Sequence, residues 1–287
     1  MYKSKIIFKP LTWTMTLLMT ALTTGCWMDG SGGAGVSAAA VGPASAGPVG
    51  AACVGASCVN LGTAANYVIL AEAGASTVPT SVVTGNVGLS PAARGFLTGW
   101  SLIGEPTDTA YTSTQVVGGG HLYAADMVGG TTSVDLTTAV GDMGTAYTNA
   151  NGLAPAGGGL TTACPGNGAL DGLTITPGVY TCTTTVSLGA GTNVTFSGAG
   201  VYVIRTTQGI TQASGTQVIL TGGALAQNVF WVPALTVSIT GTAGTTTKMA
   251  GVILAKTNIA VGTNVTVKGR LLSQTAVTLD QAIVTTP

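Results

Sequence analysis

The sequence predicts a mostly-β fold: a triangular β-solenoid with one long α-helix packed along one side and an irregular cap. Three observations carry that prediction. A threonine-and-valine phrase framed by glycines recurs as GTNVTFSG (191–198), GTQVILTG (215–222), GTTTKMAG (244–251) and GTNVTVKG (262–269). The starts lie 24, 29 and 18 residues apart, close to the length of one supersecondary unit, so stacked repeats come first among architectures. Only 6% of the 287 residues are charged, and much of the chain alternates Val, Ile and Leu with Thr, Ser, Asn and Gly, as strands do. One segment, 132–152, has a helical apolar stripe long enough to cover a stack of turns.

Residues 1–26 read as an export signal. Lys3, Lys5 and Lys9 form a positive n-region, an apolar run follows, and small residues close it at TTGC. That ending resembles a bacterial lipobox with Cys26 as the lipidated residue. Leu22 stands one residue further from the cysteine than in the usual motif, so plain secretion is the rival reading. Both readings export the protein from a bacterial cell, as a cell-surface or outer-membrane lipoprotein or as a secreted product. Such an anchor is the only membrane contact expected, because no other apolar run approaches the roughly 20 residues of a spanning helix.

Residues 27–59 read as a tether, since Gly, Ala, Ser and Pro dominate 29–52 without a hydrophobic period. The folded domain is expected over 60–287. Four cysteines remain after Cys26, and an even count in an exported chain favours disulfides. Three pairings are possible; proximity along the chain favours Cys53–Cys58 and Cys164–Cys182. No metal site is expected, because His121 is the only histidine and no CxxC spacing occurs.

Within the domain, NYVILA in the segment 61–74 is similar to GVILA at 251–255, so this segment is expected to supply one turn of the same solenoid. Residues 90–130 are irregular and expected to cap an end, shielding its strand edge. The helix is predicted at about 133–150. Leu136, Val140, Met143 and Tyr147 make its stripe, Thr132 and Asp135 have capping-box spacing, and Gly152 is the stop signal. About 18 helical residues span roughly 27 Å, matching five or six turns at about 4.8 Å each.

The C-terminal turns each hold three short strands. Nearly continuous apolar runs (178–184, 200–206, 228–234, 251–257 and 269–275) suit a side buried on both faces. The repeated phrase supplies a second side. Between them lie TVSLG (185–189), ITQAS (210–214), TVSIT (236–240), NIAVG (258–262) and AVTLD (276–280), which alternate. Their apolar residues point inward, which leaves Thr185, Ser187, Thr211, Ala213, Thr236, Ser238, Thr240, Asn258, Ala260, Thr278 and Asp280 outward.

Several blocks in order, LGTAANYVILAEAGASTVPTSVVTGNVGLSPAA (61–93), AVGDMGTAYTNANG (139–152), TPGVY (176–180), AQNVFWV (226–232) and GRLLSQTAVTLDQA (269–282), resemble the microbial ice-binding protein family. The resemblance covers roughly residues 60–287. It implies a discontinuous, right-handed, three-sided solenoid with a flanking helix and an N-terminal segment that completes it. It also implies adsorption to ice without catalysis or cofactor, by a monomer, with the crystal surface as partner.

Adsorption to ice asks for a flat, rigid, nearly uncharged surface with small groups in a regular array. Threonine suits this, being stiff at χ1 with a methyl and a hydroxyl side by side. The helix is expected to cover the apolar side, and the repeated-phrase side carries Lys248 and Lys268, so the eleven outward residues of the middle strands are the candidate ice-contact set. Asp280 departs from their uncharged pattern and is expected at the edge.

The rival classes have little support in composition. A solenoid polysaccharide lyase needs Asp, Lys or Arg clustered in a groove, yet six Lys and Arg remain after the leader and the three middle turns hold no Asp or Glu. A carbohydrate-binding or adhesin module wants exposed aromatics, and Trp231 falls in an apolar run. Nucleic acid has no basic patch to bind. Asp126, Asp135 and Asp142 suit helix and cap roles, and GGGH (118–121) lacks the helix and GK[ST] of a phosphate loop.

Overall fold

The computed structural model describes residues 59–78, 80–154 and 162–287. The segments expected to be export signal and tether, up to residue 58 and including Cys26, Cys53 and Cys58, lie outside the described residues.

Valine and isoleucine at every second position give strands with one apolar face, and glycine-framed corners stack these strands in parallel around a common core. The described strands form three sides. The repeated phrase builds one: Val194–Ser197 and Val218–Thr221 pair in parallel, and the series continues through Thr247–Ala255, Val265–Ser273, Ile283–Thr285 and Val82–Thr84. The apolar runs build the second, ordered Gly178–Cys182, Tyr202–Thr206, Val229–Pro233, Thr247–Ala255, Val265–Ser273, Tyr67–Ala71, Asn86–Leu89 and Leu122–Ala124. The two nine-residue strands serve both sides by bending at Gly251 and Gly269, which lie in register. A side chain at Gly269 would fall on the carbonyl oxygen of Gly251, so glycine is required at that corner.

Strands of the second side are apolar on both faces because each face has a separate partner. Ile69, Ile204, Trp231, Ile253 and Leu271 fill the solenoid interior. Leu70, Val203, Phe230, Val252, Leu254 and Leu272 point outward and are buried beneath the helix Thr132–Gly152. Its 21 residues span about 31 Å. It lies over the strands from Leu122–Ala124 to Tyr202–Thr206, seven strands and about 29 Å.

The helix differs from expectation at three points. Its buried stripe is Leu136, Ala139, Met143, Ala146 and Ala150, while Val140 and Tyr147 flank it half-buried. The sheet already contributes large side chains, so alanines on the helix allow close approach. Thr131, not Thr132, is the N-cap residue, and its hydroxyl bonds Asp135 at 2.7 Å; the Thr132 hydroxyl ties the helix to the Thr109 carbonyl at 2.8 Å. Gly152 is the last helical residue rather than the stop. At that end Arg205, nearly buried, donates to the carbonyls of Asn151 at 2.5 Å and Leu153 at 3.0 Å and to the Thr181 hydroxyl at 2.8 Å. A cation on the last carbonyls satisfies groups the helix leaves open and opposes its dipole.

The N-terminal segment supplies more than the single turn expected. Tyr67–Ala71 pairs with Val265–Ser273 and Gly74–Thr77 with Ala276–Leu279, so the last C-terminal turn lies inside the stack. Val82–Thr84, Asn86–Leu89 and Leu97–Thr98 add a further turn, Val116–Val117 and Leu122–Ala124 part of another, and Leu102–Gly104 and Tyr111–Ser113 an antiparallel cap. Arg94 pins the cap, donating to Asp108 at 2.6 Å and to Asp126 at 3.0 Å. That pairing, with the Val128 N–H, holds the Asp108 carboxyl down to about 2. A disulfide joins Cys164 to Cys182 across a sequence separation of 18 residues.

Candidate functional site

The third side is a seven-stranded parallel sheet ordered Val186–Leu188, Ile210–Gln212, Val237–Ile239, Ile259–Val261, Ala276–Leu279, Gly74–Thr77 and Leu97–Thr98. The inward residues Val186, Leu188, Ile210, Val237, Ile239, Ile259, Val261, Val277 and Leu279 are all buried. With a side-chain period of two, the residues between them must face out.

The outward residues fall into columns. The middle column is in register from strand to strand: Ser187, Thr211, Ser238, Ala260, Thr278, Ser76 and Thr98. Its members repeat at about 4.8 Å across the strands. Each is small, uncharged, and exposed or half-buried. A second column precedes it by two residues and includes Thr185, Thr236, Asn258, Ala276 and Gly74. The Thr236 hydroxyl donates to Asn258 Oδ1 at 2.9 Å, locking adjacent turns together. A third column forms the rim: Ala213, Thr240, Gly262, Asp280 and Val78 each donate a backbone N–H to the preceding turn at 2.8–3.0 Å. The structure therefore brings all eleven residues expected from sequence onto one surface.

Two members of the middle column were not anticipated. Ser76 lies five residues after the strand ending at Ala71, as Ala260 lies five after the strand ending at Ala255. The likeness of NYVILA to GVILA, carried one strand further, would have found it. Thr98 has no such signal, because its strand has two residues and no matching phrase.

The side is not flat throughout. A shallow depression of about 640 Å³ lies along the rim, lined among others by Ser76, Ser238, Thr240, Ala260, Gly262 and Asp280. It opens where Gly262 leaves a gap between Thr240 and Asp280. A side chain there would press on the Gly241 nitrogen at 2.9 Å, so turn packing enforces the gap.

Around this side, charge is kept to its margins. Lys256 bonds Gln274 at 2.7 Å, beside Glu72, whose carboxyl burial pushes up. Glu105 meets His121 at 3.2 Å in the cap region. Asp280 is the one charged residue in the three outward columns among the described residues. Trp100 and Trp231 are both buried, their indole N–H groups bonded to the Ala75 and Ala250 carbonyls at 2.9 Å, so neither offers a sugar-stacking platform.

Residues 69–285 match the ice-binding-like family. The chain is 47% identical over 202 residues to ice-binding protein K1-A of Typhula ishikariensis, covering 69% of this chain and 76% of that one. Among solved structures it is similar to LeIBP, an ice-binding protein from an Arctic yeast studied for its antifreeze activity. The TM-score there is 0.72 at 38% identity, over 80% of this chain and 94% of that one. It is similar also to a domain of Shewanella frigidimarina ice-binding protein 1, at a TM-score of 0.68 and 26% identity, over 79% of this chain and 96% of that one. Sequence match and solenoid geometry agree over the same residues: the chain belongs to the ice-binding-like family.

Proposed function

We propose that the protein adsorbs to ice through the seven-stranded side, slowing crystal growth and recrystallisation or holding the exporting cell against ice. The observation that carries this reading is the middle column: seven in-register positions, all small and uncharged, on a sheet backed by a continuous core. The strand repeat of about 4.8 Å is close to a repeat of the ice lattice. Threonine and serine hydroxyls join an ice-like water network while methyl groups resist competing hydration. The core and the helix behind the sheet hold the array rigid, so little ordering entropy is lost on adsorption.

The test replaces Thr236 or Thr278 with Tyr, with Lys268→Tyr on the repeated-phrase side as control. Thermal hysteresis falls in the first two and persists in the control; melting temperature is unchanged for Thr278→Tyr and Lys268→Tyr and slightly lowered for Thr236→Tyr, which loses its bond to Asn258. Loss only in the control assigns ice contact to the repeated-phrase side instead.

Export and a lipid on Cys26 belong to the same proposal, supported by the charged leader and the small-residue site before that cysteine. Mass spectrometry of the mature N-terminus decides: an unmodified terminus beyond Cys26 removes the anchor and leaves secretion.

A further inference from the structure

The rim column contains one residue that works against its own surface. Asp280 is exposed and stands in line with Thr240, Gly262 and Val78, each bonded by its backbone N–H to the turn before it. Its Oδ2 accepts the Thr263 hydroxyl at 2.8 Å, and its Oδ1 accepts nothing from the described residues. The carboxylate borders the depression at Gly262, two residues beyond Thr278 of the middle column on the same turn.

A carboxylate holds its water strongly, and an ice surface offers no cation to replace that water. Bringing the crystal over Asp280 would strip a charge of hydration without compensation, which is costly. The bound waters are oriented by the charge rather than by the lattice, and the depression gives them room beside Ala260 and Thr278. Thr240 and the other rim residues carry no charge, so Asp280 is the one charged obstacle along the rim column among the described residues.

Resting on the reading of this side as the ice-contact surface, we infer that Asp280 limits the area of ice contact: its hydrated carboxylate excludes the rim column from the crystal and caps the activity of the face. Asp280→Asn removes the charge at nearly equal size and can still accept the Thr263 hydroxyl. Asp280→Thr places a methyl and hydroxyl in line with Thr240.

The experiment compares thermal hysteresis at equal concentration for the intact protein, Asp280→Asn, Asp280→Thr, Thr278→Tyr and the double variant Asp280→Thr/Thr278→Tyr, with melting temperature read for each. The expected result is a higher hysteresis in both Asp280 variants, abolished by Thr278→Tyr. If Thr278→Tyr lowers activity while both Asp280 variants stay at or below the intact protein, the face stands and Asp280 does not limit it. If Thr278→Tyr leaves activity intact, the face assignment fails and the inference falls with it. Should Asp280→Thr lower the melting temperature, Asp280→Asn alone decides.

Discussion

A tyrosine scan along the middle column tests whether the strands contact ice as one surface. Seven strands give six spacings of about 4.8 Å, a footprint about 29 Å long. A ring at Ala260, on the fourth strand, leaves three uninterrupted strands on either side. At Thr278, on the fifth, the longest run is four, and at Thr98, on the last, it is six. The strands are rigidly stacked, so a crystal lifted by one ring loses its neighbours too, and only the uninterrupted run can still adsorb. Residual thermal hysteresis should therefore fall in the order Thr98→Tyr, Thr278→Tyr, Ala260→Tyr. The side chains point away from the core, so each change costs within about 0.5 kcal/mol, or about 2 °C in melting temperature. Hysteresis is measured against concentration, and folding by thermal melts monitored by circular dichroism. Equal loss at all three positions would refute collective contact along the column. A lowered melting temperature for Ala260→Tyr would trace its loss to folding instead.

Three further predictions concern what holds the platform. Arg205→Met removes the cation from the helix C-terminal carbonyls; charged hydrogen bonds are worth about 1.5–3 kcal/mol each, offset by relief of burying the guanidinium. The net loss is about 2 kcal/mol, read as a fall of about 4–8 °C in melting temperature; an unchanged value refutes the clamp. Replacing Cys164 and Cys182 with Ser opens a loop of 18 residues and should cost about 3 kcal/mol, measured by denaturant unfolding with hysteresis retained on ice. For Asp108, the folded carboxyl lies at about 2, below its unfolded value, so the unfolded chain binds more protons between the two. Its contribution is complete above the unfolded value of about 3.9 and is lost as pH falls through the folded one. The melting-temperature gap between the intact protein and Asp108→Asn should close on acidification from pH 5 toward 2; a gap independent of pH rules out the Arg94–Asp108 pair as its source.

The parts legible in sequence were those set by local periodicity. Alternation in TVSIT and NIAVG determined that Val237, Ile239, Ile259 and Val261 point in and Thr236, Ser238, Asn258 and Ala260 point out, because a strand has a side-chain period of two. The doubly apolar GVYVIRT and NVFWVPA required two partners, an interior and a helix, and the stripe around Leu136 and Met143 identified that helix. The alanines of the buried stripe were missed because a small residue carries little hydrophobic signal, yet close packing selects it.

What only the tertiary structure decided is which strands are neighbours across the chain. Nothing local tells Ser76 that it lies between Thr278 and Thr98, some 200 residues apart in sequence from one and close to the other. Parallel pairing exchanges backbone hydrogen bonds that are alike for every residue, so partner choice rests on the stacked core and not on the strand's own letters. The sequence by itself determined a three-sided solenoid with a hydroxyl-bearing side whose one charge is Asp280. The fold decided that this side has seven strands, that the C-terminal turn lies inside the stack, and that close packing at Gly241 and Gly262 opens a depression beside Asp280.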